Sequence, residues 1–190
     1  MQLYGSTTSP YVRRLRIYMQ DIAHEFLEVD IFNSRDRSTI AADNPTLKIP
    51  MLKDGEQVIL DSGVIQQYIQ QKHGLAVLTW DQRNLLTSID AANESLVQML
   101  ILSRSEIDIS TDKLYFRIQR ERMDVVFSHL ENAAKSGAFA EWNYISISLY
   151  CLLDWVRFRS LHDISSFEGL NKLHQEWHQL AICHQTDPRL

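Results

Sequence analysis

Cysteine is scarce in this chain. There are two among 190 residues, Cys151 and Cys183, in different segments and without C-x-x-C spacing. That pattern argues against a disulfide framework or a zinc site, and it suits a reducing compartment. Clustered charge of one sign is also missing. Nineteen Lys and Arg are interspersed among twenty-four Asp and Glu, for a net charge of -5, which leaves no electrostatic footprint for nucleic acid or an acidic membrane. Long apolar runs are lacking as well. The longest, residues 145–156, is interrupted by Ser146, Ser148 and Asp154 and falls short of the ~20 residues that span a bilayer. Met1 to Gly5 carry no basic region followed by an apolar stretch, so no signal peptide is read there. There is no internal repeat or low-complexity tract. The expectation is a soluble, cytoplasmic globular protein, with no nucleic acid or membrane partner and enough length for one large domain or two small ones.

What is present changes character along the chain. Leu3-Tyr4 begins a strand, residues 5–8 turn, and Ser9-Pro10 opens a helix with Val12, Leu15, Met19 and Ile22 on one face. Serine followed by proline at the first helical position is a strong start signal. Residues 26–31 read as a second strand and 35–42 as a short helix. Residues 51–53 and 58–60 form a hairpin around Asp54-Gly55. A helix then starts at Asp61-Ser62, carries Val64, Ile65, Tyr68 and Ile69, and stops near Gly74. Strand, helix, strand, helix, hairpin, helix is consistent with a thioredoxin-like α/β domain over residues 1–74.

From residue 80 to 190 only helical patterns follow, predicting an all-helical domain. Leu86, Ile89, Leu96, Met99 and Leu100 make a buried stripe on a long helix. After a polar break over residues 103–112, a second helix carries Leu114, Ile118, Val125, Val126 and Leu130. Residues 143–158 are apolar on all sides, as in the central helix of a bundle. Residues 167–180 supply one more amphipathic helix.

Three motifs in the first domain bear on chemistry. Thr8-Ser9-Pro10-Tyr11-Val12-Arg13 presents a hydroxyl and unsatisfied N–H groups at a helix start, a place that stabilises an anion. For a thiol of pKa about 8.5, lowering the value by two units needs roughly 2.7 kcal/mol, within reach of one hydroxyl plus a helix terminus. On local sequence alone, Ser9 is first of all an N-cap. In the second, running from Asn44 to Leu52, Pro50 stands at the mouth of a strand. It is either a plain edge-strand proline or, with a cis bond, a device that turns the backbone N–H and C=O of Ile49 outward to pair with an extended tripeptide. Leu60-Asp61-Ser62-Gly63 offers a hydroxyl and N–H groups to a ligand carboxylate. By itself it is an ordinary capping sequence.

In this order, the three motifs resemble the cytosolic glutathione transferases, notably bacterial members with serine at the thiol position. The likeness runs through Ser-Pro-Tyr-Val-Arg, Lys-Ile-Pro-Met-Leu, the Asp-Ser pair and the run Cys151 to Arg159, which resembles the end of the family's buried bundle helix. It implies a thioredoxin-like domain followed by an all-α bundle, usually in a homodimer, with glutathione as co-substrate and no metal. Carried over, Ser9 would donate to the glutathione sulfur as the catalytic residue, with Thr7, Thr8 and Tyr11 as rival hydroxyls. Ile49, ahead of Pro50, would pair with the cysteinyl part, and Lys48 would approach the glycyl carboxylate. Ser62 would hold the γ-glutamyl carboxylate, with Asp61 orienting that end. Serine at position 9 disfavours mixed-disulfide chemistry there. Two departures stand out. The family commonly has glycine where this chain has Leu47, and its buried helix usually opens with Ser or Thr and an Asp three residues later, where this chain has Asn143 and Ser146.

The implied reaction joins the glutathione thiolate to a small hydrophobic electrophile, lodged near Tyr11, Leu102, Ser103 and Tyr115. Two other functions share the scaffold: a binding or regulatory protein that has lost turnover, and a glutathione-dependent isomerase or dehalogenase. Elsewhere, His174 and His178 lie four apart as in a metal site, but Gln175 stands where a zinc peptidase needs glutamate. The pair is therefore read as part of a solvated helix face. Cys151 reads as a core residue and Cys183 as a surface thiol.

Overall fold

The structure, a computed structural model, describes all 190 residues, Met1–Leu190. It divides into two compact units: residues 1–78 together with 181–190, and residues 79–180.

The first unit contains β1 (Gln2–Gly5), α1 (Pro10–Tyr18), β2 (Glu25–Glu28), α2 (Ser34–Ala41), β3 (Met51–Asp54), β4 (Gln57–Leu60) and α3 (Ser62–His73). The strands lie in the order β2-β1-β3-β4, with β1 and β2 parallel and the other neighbours antiparallel. A parallel pair needs a crossover, which α1 supplies, while β3 and β4 close as a hairpin. Gly55 takes the left-handed conformation of that turn, with φ 59°. This is the thioredoxin-like arrangement expected from the order of elements.

β2 is shorter than residues 26–31. Its partner β1 ends at Gly5, and pairing closes with the bond from Val29 N–H to the Gly5 carbonyl at 3.0 Å. Likewise α1 stops early, at Tyr18, because its C-cap Met19 leaves the helical conformation with φ −95° and ψ 13°. Ile22 therefore lies in the turn beyond the helix. Leu3, Val12, Leu15, Ile17, Met19, Leu52, Ile65 and Ile69 are fully buried. Val64, expected beside Ile65, is 52% exposed: the buried face of α3 is the 65–69 row with Gln66 and Gln70, and residue 64 lies about 100° away from it. β1 and α1 meet closely at Gly5, where an added Cβ would lie 2.4 and 2.7 Å from the Val12 methyls.

The second unit comprises α4 (Trp80–Arg104), α5 (Leu114–Lys135), α6 (Tyr144–Arg159) and α7 (Glu168–His178). α4 opens with a capping box in which Thr79 and Gln82 each satisfy the other's backbone N–H. Its buried stripe includes Ile89, Leu96 and Met99. On α5 the sequence pattern misleads. Leu114, Ile118 and Val125 are exposed, and the inward face carries Phe116, Gln119, Met123, Phe127 and Leu130. Two rows of apolar residues compete on that helix, and the one with the aromatic rings takes the core, where Phe127 stacks on His162 and Phe167. α6 is buried throughout residues 144–156. Asn143 caps it by accepting from the N–H groups of Ile145 and Ser146, while the Ser146 hydroxyl donates to the Glu141 carbonyl at 2.6 Å. That bond ties the cap down where the ionised half of the reciprocal pair is missing.

α7 has no side-chain cap of its own. Glu131 of α5 serves instead, accepting from the N–H groups of Gly169 and Leu170, both at 2.9 Å, with Lys135 also at 2.9 Å. The last residues form α8 (Ala181–Gln185), within the first unit. Cys183 is fully buried there rather than at the surface, since its carbonyl is held by Arg13 at 2.9 Å. No helix is long and apolar enough to cross a membrane.

Gly5→Ala drives a methyl into Val12, so it should lower stability by about 1–3 kcal/mol in chemical denaturation. Glu131 yields a pH signature. Burial pushes its carboxyl up, but the bonds from Gly169 N–H, Lys135 and Leu170 N–H outweigh burial and hold it below the ordinary glutamate value. A depressed folded-state value stabilises the fold above the unfolded value of about 4.3, and that stabilisation is lost as pH falls through the folded value. Relative to wild type, Glu131→Gln should therefore lose about 1–3 kcal/mol at pH 7, and the gap should narrow below about pH 4. A gap that stays constant between pH 7 and pH 3 would refute the assignment.

Candidate functional site

The turn between β1 and α1 gathers four hydroxyls, and their partners separate them. Thr7 donates to Glu28 at 2.7 Å, and Thr8 pairs with Ser6 at 3.1 Å. Ser9, with φ −85° and ψ 127°, is the N-cap of α1, and its oxygen accepts from Val12 N–H at 3.4 Å. Capping uses only the acceptor side of a hydroxyl. The cap and the thiol-directed role are therefore compatible: the oxygen serves the helix and the proton can point outward. Tyr11 follows, half-buried, with the Arg14 guanidinium carbon 5.0 Å from its ring centroid.

Positive charge concentrates behind this turn. Arg13 and Arg14 are each only 2% exposed. Arg13 donates to the Cys183 carbonyl and to the Thr186 hydroxyl at 3.4 Å. Arg16, in the last turn of α1, is lowered from its ordinary value by burial and by Arg13, against the opposing pull of Glu28. Arg13 and Arg14 thus add side-chain charge toward the positive end of the α1 dipole, in a setting that favours an anion near Ser9.

The loop before β3 is organised by Asn44, which is fully buried. Its amide N–H donates to the Lys48 carbonyl at 2.7 Å, and its oxygen accepts from the N–H and hydroxyl of Thr46. Lys48 is exposed, and its ammonium takes no partner from the chain. The Ile49–Pro50 bond is cis. No hydrogen bond of the chain takes up the N–H or C=O of Ile49, so both remain open to an extended ligand. Leu47 has φ 55° and is 42% exposed: leucine occupies a left-handed position that suits glycine.

At the start of α3, Asp61 is the N-cap, accepting from Gly63 N–H at 2.8 Å and Val64 N–H at 3.3 Å. Its carboxylate is thus occupied by the helix. Ser62 is 2% exposed, and its oxygen accepts from Arg14 at 2.6 Å. Arg14 was not among the expected site residues, yet it joins the Tyr11 end of the site to the Ser62 end. The signal for it was its position one turn beyond Pro10, on the side that proline buries. Asn44 was missed too, being read only as the start of a loop.

In the second unit, Leu102 and Tyr115 line an apolar depression of about 520 Å³ with Ile101, Ile107 and Phe116. The Tyr115 hydroxyl bonds Gln98. Ser103 is exposed and does not line the depression. The histidine pair is not a solvated face: His174 is 7% exposed and lies 3.1 Å from a carboxylate oxygen of Asp154, which is 1% exposed.

Residues 3–77 match the family described as glutathione S-transferase, N-terminal domain. A search of curated protein sequences found no match. Among solved structures, a glutathione S-transferase from Methylobacillus flagellatus KT with glutathione bound superposes with a TM-score of 0.85 at 20% identity, covering 98% of each chain. A glutathione transferase family member from Pseudomonas fluorescens Pf-5 with bound glutathione gives 0.82 at 21% identity, covering 100% of this chain and 99% of that one. A maleyl pyruvate isomerase, a bacterial zeta-class glutathione S-transferase, gives 0.77 at 16% identity, covering 99% and 97%.

Leucine at φ > 0 costs about 1–2 kcal/mol, part of which glycine returns through its greater unfolded-state freedom. Leu47→Gly should therefore raise stability by about 0.5–1 kcal/mol, measured as a higher denaturant midpoint with an unchanged slope.

Proposed function

From a chain whose residues 3–77 match the glutathione S-transferase N-terminal domain family, we propose an enzyme that holds glutathione as its thiolate at Ser9 and transfers that sulfur to a hydrophobic electrophile. The observation that carries this reading is the geometry of Ser9. Its oxygen caps α1 through Val12 N–H, which leaves the hydroxyl proton for the sulfur at the positive end of a helix reinforced by Arg13 and Arg14. The thiolate attacks an electrophilic carbon, the carbon–sulfur bond forms as the leaving group departs with its electron pair, and the thiol proton passes to solvent. The chain's contribution is to position the thiol and favour its ionised form.

The remainder of the ligand is assigned to residues of the second and third motifs in order. Ile49 offers its N–H and C=O to the cysteinyl part, as an added strand. Lys48 offers an unpartnered ammonium to the glycyl carboxylate. Ser62 donates to the γ-glutamyl carboxylate while accepting from Arg14, so that the guanidinium stabilises the anion through one intervening hydroxyl. Asp61 contributes by fixing the start of α3. Leu102 and Tyr115 are the second-substrate residues best supported by their surroundings, since they share an apolar depression; Ser103 has no such support. Glutathione-dependent isomerisation uses the same thiol site, and the likeness to a maleyl pyruvate isomerase keeps it as the second reading.

Calorimetry with glutathione, followed by conjugation of a generic aromatic electrophile, tests the assignment. Ser62→Ala should weaken glutathione binding about tenfold with turnover at saturation largely kept. Ser9→Ala should instead lower turnover about 10- to 100-fold and raise the pH at which the bound thiol ionises. Absence of glutathione binding by the wild type would end the proposal. Unchanged turnover in Ser9→Ala would move the activating role to another hydroxyl.

A further inference from the structure

α6 and α7 meet through two pairs of residues spaced four apart, Tyr150 and Asp154 on one helix and His174 and His178 on the other. All four lie within the second unit. An Asp154 oxygen is 3.1 Å from His174 Nε2. The two imidazoles stack with centroids 5.4 Å apart and planes 15° apart. One donor atom each from Asp154, His174 and His178 lies within 4.8 Å of the others. The Tyr150 hydroxyl is 3.0 Å from His178 Nδ1, and its ring stacks on His174.

We propose that Asp154, His174 and His178 form a binding site for one divalent transition-metal ion of the zinc class. Two imidazole nitrogens and one carboxylate oxygen are a three-ligand set that zinc accepts, with water in the fourth position. Donors about 2.0–2.1 Å from a tetrahedral ion stand about 3.3 Å apart, which the Asp154–His174 pair already meets. The His178 donor already lies within 4.8 Å of the other two, and the residue is only half-buried, so solvent can reach the open position. Calcium and magnesium are excluded by the donors, since each needs more oxygen ligands than one carboxylate supplies. Tyr150 plays the part of an outer partner, fixing the ring orientation of a ligand histidine. The site lies apart from the residues assigned to glutathione and does not rest on that reading.

The test is calorimetric titration of the chelator-treated full chain with Zn²⁺, with Co²⁺ absorption as a second probe. The wild type should bind one ion per chain with Kd below about 1 μM, and Zn²⁺ should raise its thermal midpoint. His178→Asn, at the solvent-facing ligand, should weaken binding at least about tenfold and abolish the midpoint shift. Tyr150→Phe should weaken it about 10- to 100-fold while Co²⁺ keeps a tetrahedral spectrum. Failure of the wild type to bind one ion would overturn the proposal, leaving a plain Asp–His hydrogen bond. So would equal affinity in wild type and His178→Asn, since binding would then belong to other histidines.

Discussion

Two guanidinium groups lie inside the first unit within one turn of α1, and each must be met there, because a buried charge without a partner costs several kcal/mol. Arg13 is met by the Cys183 carbonyl and the Thr186 hydroxyl, which fixes the last residues of the chain in this unit. Arg14 is met by the Ser62 hydroxyl, which ties the second turn of α1 to the first turn of α3. The two helix starts that carry the candidate anion sites are thus linked by a charge in a setting of low dielectric.

The second unit faces the same problem with the opposite sign. Glu131 and Asp154 are carboxylates inside a helical bundle. Glu131 is compensated by two backbone N–H groups and a lysine, so it does for α7 what an N-cap residue does from within a helix. Asp154 is compensated by imidazole. Each carboxylate connects α7 to another helix, and together they determine how α7 sits. Apolar contacts alone would allow it to slide or rotate at little cost, because hydrophobic burial is non-directional.

Much of this was legible in the sequence, and the parts that were not share a cause. The starts of α1, α3 and α6 followed from Ser9-Pro10, Asp61 and Asn143, because capping is local chemistry written in a few adjacent residues. The thioredoxin-like order of elements followed from periodicity and the Asp54-Gly55 turn. What escaped were tertiary choices. On α5, Leu114, Ile118 and Val125 made as good a stripe as Phe116, Met123 and Phe127, and only the packing partners decide between them. Arg14, Glu131 and His174 were hidden because a charged or titratable side chain reads as surface unless its partner is known, and each has a partner at least 20 positions away. Leu47 was legible as a departure, and the structure gives it a meaning: the backbone keeps the left-handed turn and the side chain bears the strain.

The bond from Arg13 to the Cys183 carbonyl spans 170 positions, and this separation bears on how the protein comes into being. During synthesis, the sheet, α1 and α3 are all available long before residues 183–186 exist. A chain that has reached only the end of α3 can lay down β1 to β4, but Arg13 still lacks the Cys183 carbonyl and the Thr186 hydroxyl. The first unit begins to form early and is completed last, after the four helices of the second unit have been made. The segment that carries the candidate thiol site therefore gains the Cys183 and Thr186 partners of its Arg13 only after the second unit has been made.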